Sequence, residues 1–234
     1  MNTVPRMISF ARARAFALVA GYLVLASGCS ALRSVTTPAP PPPSFYSLGM
    51  RNAAAAPASA VSAPLTAPTL VVSTPSAAAG FDSQHIMYVR QPHQLEYFAQ
   101  SECTDPPARM LSPLIVAAMD ESRVFSAVVH TPSSGSGDLR LDTEVLRLQH
   151  EFLGQPSQVR FTLRASLVED TTRRVIATRE FESIVAATSE DAYGGVVAAN
   201  QAVRAVLENL AAFCAQAAAA WRPAGSGIDS RPAK

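Results

Sequence analysis

The side chains best suited to proton transfer or metal binding in this chain are four histidines, His85, His93, His130 and His150. None stands in an H-x-H, H-E-x-x-H or C-x-x-C…H setting, the spacings that bring two donors onto one face or turn, so the sequence calls for no metal. His150 falls in the apolar phase of an alternating stretch, where a satisfied core or edge imidazole fits better than a ligand. The run SSGSG at 133–137 lacks the strand–turn–helix frame that exposes a nucleophilic serine. No glycine-rich phosphate loop is present, so ATP has no cradle. The carboxylates Asp120–Glu121 and Glu169–Asp170 are neighbours at element ends. They read as solvated turns rather than as a general acid facing a general base. These residue types point away from an enzyme and from any cofactor.

A different density lies in YVRQPHQLEYFAQSECTDPPARML, residues 88–111. It crowds Tyr88, Arg90, His93, Tyr97, Phe98 and Arg109 into a chain otherwise poor in aromatics. Aromatics with arginine at element boundaries are typical of contact surfaces. Tyr88, Arg90 and Arg109 are therefore the candidate partner-binding residues. The competing reading is that Tyr97 and Phe98 fill the core where a strand meets a helix.

Cysteine chemistry fixes the compartment. Arg6, Arg12 and Arg14 precede any acid, and Ala15 to Ala26 carry no charge. That apolar run is shorter than the roughly 20 residues a membrane-spanning helix needs. A basic start, a short apolar run and small residues describe a secretory signal. Here Leu25-Ala26-Ser27-Gly28 lead straight into Cys29, which resembles the lipobox of bacterial lipoproteins. The resemblance implies a diacylglyceryl group on Cys29, cleavage before it and acylation of the new amine. Several acyl chains make a firm anchor. Ser30 rather than Asp follows the cysteine, which in that resemblance favours the outer membrane. Cys103 and Cys214 remain in an oxidising compartment, open either to a disulfide or to two buried free thiols.

Once residues 1–28 are removed, 16 basic residues face 18 acidic ones, because three of the 19 lie in the signal. That balance gives no reason to expect nucleic acid. Residues 29–43 hold TTPAPPPP, an extended proline-rich tether. The folded domain is expected at 44–222 and a flexible tail at 223–234. Within the domain, strands are expected at 45–49, 70–73, around HIMYVR and at VFSAVVH. A linker is expected at 51–67, and a helix at 105–122, capped by Asp105 and either kinked or restarted at Pro113. Leu139, Leu141, Thr143 and Val145 alternate, then the phase slips to Leu146, Leu148 and His150, which predicts a β-bulge. Val159, Phe161, Leu163, Ala165 and Leu167 alternate with polar residues, and VIATREFESIV follows EDTTRR, giving a three-stranded meander. A last helix is expected from a Thr188 cap to Trp221. The fold class is α+β: a mostly antiparallel sheet with two helices packed on one face, in a single domain.

Phe45, Tyr46 and Leu48 after a lipobox, then Tyr88, Arg90, Phe98, Pro107, Met110, Leu111 and Phe125, then Asn200 and Ala202 in an Ala-rich helix, resemble the ABC-type transport auxiliary lipoprotein family from about 44 to 221. Cys103 departs from it, since members often carry Trp nearby. The resemblance implies a non-catalytic accessory of MCE-type systems at the periplasmic face of the outer membrane, docking an MCE-family periplasmic protein and its associated ABC transporter, with a homo-oligomer compatible. The alternative is a lipid-carrying or envelope-structural lipoprotein without an ABC partner.

Overall fold

The computed structural model describes residues 42–49, 64, 66–132 and 135–223. The signal segment, Cys29, nearly all of the tether, most of the 51–67 stretch and the tail from 224 lie outside the described residues. Along the domain the elements are β1 (Ser44–Tyr46), β2 (Thr69–Val72), β3 (Ser76–Ala77), β4 (His85–Val89), β5 (Glu96–Cys103), α1 (Pro107–Glu121), β6 (Ala127–His130), β7 (Leu139–Glu151), β8 (Gln158–Glu169), β9 (Val175–Ala186) and α2 (Ala192–Ala220). The order matches the sequence reading except for two unpredicted strands, β3 and β5.

The meander dominates. β7, β8 and β9 pair antiparallel in sequence order, and the β7–β8 register shifts between Val145 and Arg147, where the alternation slips. Val159, Phe161, Leu163, Ala165 and Leu167 are buried beneath the helices. On the other face the long ladder is held by charge: Arg164 bonds Glu180 at 2.7 Å and Glu144 at 3.0 Å. Along the free side of β7, the segment 69–89 lays down β2, β3 and β4 in turn, all parallel to it. β6 flanks β2, β5 flanks β4, and β1 closes the rim beside β5.

Both helices bury an apolar stripe on the same core. Leu111, Ile115 and Met119 of α1 meet Val206 and Leu210 of α2 above Phe161 and Leu163. Each such side chain contributes roughly 1.5–3 kcal/mol by leaving water. α1 starts differently from expectation. Pro106 is the N-cap without a side-chain bond, and Asp105 instead pairs with Arg109 at 3.5 Å. The helix runs through Pro113 as one element. α2 is capped by Asp191, whose carboxylate accepts the Gly194 N–H at 2.7 Å, rather than by Thr188.

Cys103 and Cys214 are free and buried. Cys103 ends β5 beside Gly195 and Ala199, in a pocket those residues share. Cys214 lies fifteen residues beyond Ala199 on the same helix. At ~1.5 Å per residue that is roughly 22 Å of axis, whereas a disulfide needs Cα atoms within about 7 Å.

Candidate functional site

The β4–β5 hairpin carries two of the three candidate contact residues. Tyr88 faces Glu96 across the hairpin and donates its hydroxyl proton to Glu96 Oε2 at 2.8 Å. Its ring packs on Phe98 at 4.7 Å and Phe152 at 5.8 Å, and it is only 8% exposed. Tyr88 is thus a support, not an exposed anchor. The exposed Arg90 guanidinium lies over that ring, 4.9 Å from its centroid. Arg109 is elsewhere: it stands in the first turn of α1 and pairs with Asp105 at 3.5 Å. The structure therefore joins Tyr88 to Arg90 and leaves Arg109 apart. Tyr97 stacks on His85 at 4.3 Å and is exposed, so it does not fill the core, whereas Phe98 is half-buried in the aromatic cluster.

On the outer flank of β5 a pocket of about 450 Å³ opens between Phe98–Ser101 and the start of α2. Tyr46, Phe98 and Tyr193 line it beside Glu190 and Asp191. The Ser157 backbone N–H and hydroxyl hold Glu190 below the usual carboxylate range. The Gly194 N–H and the Ser189 hydroxyl do the same for Asp191. Sequence reasoning missed this pocket because its walls come from three separate stretches. The only local signal was an adjacent pair of aromatics at each of two sites, Phe45–Tyr46 and Tyr97–Phe98.

Behind the pocket, His150 Nε2 lies 2.8 Å from Ser157 Oγ. His150 is 2% exposed, its Nδ1 has no partner, and burial pushes its pKa down against the nearby Glu190 and Asp191. A second serine–histidine contact joins Ser112 Oγ to His130 Nε2 at 2.6 Å. Among the described residues neither imidazole bonds a carboxylate on its other nitrogen, so neither pair has the relay that activates a seryl oxygen. No group of three His, Cys, Asp or Glu side chains suited to a metal occurs among the described residues.

The start of the domain is clamped to α2. Asn200 Oδ1 accepts the Gly49 N–H at 2.8 Å, while its amide donates to Ser47 O and Val196 O. This gives Asn200, until now only part of a sequence pattern, a physical task. Under the clamp, Leu48, Met87, Leu148, Val159 and Ala199 line an apolar cavity of about 40 Å³. Pockets that hold small ligands run to roughly 300–1,000 Å³. A lipid-carrying role therefore gains no support from this cavity.

The chain matches the family described as ABC-type transport auxiliary lipoprotein component over residues 46–211. No curated protein matches. Among solved structures, a Xanthomonas campestris protein of the DUF330 family is 26% identical at a TM-score of 0.63, covering 74% of this chain and 95% of that one. An uncharacterized protein shares 16% identity at a TM-score of 0.59, covering 74% of this chain and 99% of its own, a likeness of fold alone.

Proposed function

The chain belongs to the family of ABC-type transport auxiliary lipoprotein components, and from that premise we propose that it anchors and docks rather than catalyses. It is a membrane-anchored envelope component. In the finer reading, acyl chains on Cys29 hold it at the periplasmic face of the outer membrane, and the proline-rich tether of 29–43 spaces the domain from the bilayer. The domain then holds an MCE-type periplasmic protein and, through it, an inner-membrane ABC transporter that moves lipids or other hydrophobic molecules.

The observation that carries the docking reading is Arg90. An exposed guanidinium fixed over a buried Tyr88, itself bonded to Glu96, is a cation ordered before any partner arrives. Ordering in advance lowers the entropy that binding must supply. Arg90→Ala should leave the melting temperature unchanged and reduce co-purification of the cognate MCE-type protein. A variant that melts many degrees lower makes Arg90 structural. A stable variant that still binds fully places the interface elsewhere.

A further inference from the structure

β1 covers only part of β5. Its three residues pair with Ser101, Glu102 and Cys103, and β4 occupies the opposite edge. Among the described residues no strand pairs with the outer edge of Glu96–Gln100. Pro43, which immediately precedes β1, has no N–H to continue the β1–β5 pairing. Unpaired strand edges are templates for another chain, and natural proteins usually cover or charge them. Here Ala99 and Gln100 are exposed, and the edge borders the 450 Å³ pocket.

That pocket has a chemical preference. Tyr193 is 61% exposed, and Tyr46 and Phe98 line the pocket with it. Glu190 and Asp191 lie beside these rings, and neither forms an ion pair with an Arg or Lys among the described residues. Aromatic faces beside carboxylates attract a cation, arginine most of all because its planar group both stacks and forks.

We propose that the open edge of β5 at Glu96–Gln100 accepts an extended segment of a partner protein as an added strand, with one arginine or lysine of that segment seated among Tyr46, Phe98 and Tyr193 against Glu190 and Asp191. Main-chain pairing supplies the affinity and the pocket supplies the specificity. The inference rests on the reading that this domain holds a protein partner, and it names the chemistry of the contact.

The test has two arms, both on the mature lipidated chain in nanodiscs. In the first, acetyl-Val-Arg-Val-Arg-Val-amide is titrated and amide shifts are followed by NMR. Shifts confined to 96–101 and 190–193 are expected, and they should vanish in Tyr193→Ala. No shift, or shifts elsewhere, overturns the inference. So does phosphocholine moving the same amides when the peptide does not, which would make the pocket a headgroup site. Self-association of the free protein that Tyr193→Ala dissolves would hand the edge to a second copy and overturn it too. In the second arm, the purified periplasmic domain of the cognate MCE-type protein is bound to wild type and to the Glu190→Gln/Asp191→Asn pair, which keeps both acceptors and removes both charges. Binding about tenfold weaker or more is expected, with a fall in melting temperature small enough to leave the domain folded at the assay temperature. Equal binding overturns the inference and leaves the docking reading standing. Absence of binding even to wild type sinks the docking reading, while the peptide arm still decides the strand-addition site.

Discussion

Gly195→Ala tests the packing beneath the site by setting two known effects against each other. In an exposed helix, replacing glycine by alanine stabilises by roughly 0.5–1 kcal/mol, because it removes backbone entropy from the unfolded chain. At position 195 the added Cβ would lie 2.6 Å from His150 Nδ1 and 3.2 Å from two ring carbons. The imidazole cannot simply swing away. It is bonded to Ser157, packed against Phe152 at 4.1 Å and tilted over by Phe98 at 6.3 Å. Overpacking of this kind costs about 1–3 kcal/mol. The clash therefore wins, and the net loss is on the order of 1–2 kcal/mol. For a domain of this size each kcal/mol lowers Tm by roughly 2–4 °C, so a fall of about 2–8 °C is expected by calorimetry. A Gly195→Ala protein at least as stable as wild type would refute the reasoning, since helix propensity would then have decided the sign.

Other outcomes follow from the same structure. Burial lowers the His150 pKa, so the unfolded chain binds its proton first as pH falls. That contribution is complete above about pH 6.5 and is lost below it; Tm should drop between pH 7 and 5, and His150→Gln should flatten the slope. Burial pushes the Cys103 thiol up to about 11 and the Cys214 thiol up to about 12. Both should resist alkylation in the native protein and react fully in denaturant without any reductant; a bridge would leave them unreactive until reduced. Glu151 is 4% exposed and accepts from Arg160 Nε at 2.8 Å. Burial raises its pKa, but bonds from Arg160, Gln149 and Gln158 outweigh that and hold it low. Arg160→Ala should therefore cost about 3–5 kcal/mol in chemical denaturation, and a loss under 1 kcal/mol would contradict the pairing.

What the sequence revealed depended on how each element meets water. β7, β8 and β9 are wet on one face and buried on the other, so their alternation, the bulge after Val145 and the core position of His150 were all legible. β5 was not, because its outer edge is largely uncovered and Tyr97, Ala99 and Gln100 are exposed without a regular period. β3 has two residues, too few to show any period. The crowding around Tyr88 was visible, but the side of the sheet each ring would take was not. Tyr88 turned inward to Phe98 and Phe152, and Tyr97 outward to His85. The pocket beside β5 joins Tyr46, Phe98 and Tyr193, residues no local pattern connects. Cys103 and Cys214 stayed open between a bridge and two free thiols because sequence counts thiols without the length of helix between them.

The most direct test of docking is photo-crosslinking in living cells from two positions. Benzoylphenylalanine replaces Leu95, exposed beside the hairpin, or Val175, exposed at the start of β9. The Leu95 site should yield an adduct with the MCE-type component, lost when Cys29→Ala detaches the protein, and the Val175 site should yield none. An adduct from Val175 alone, or equal adducts from both sites, would contradict the docking reading.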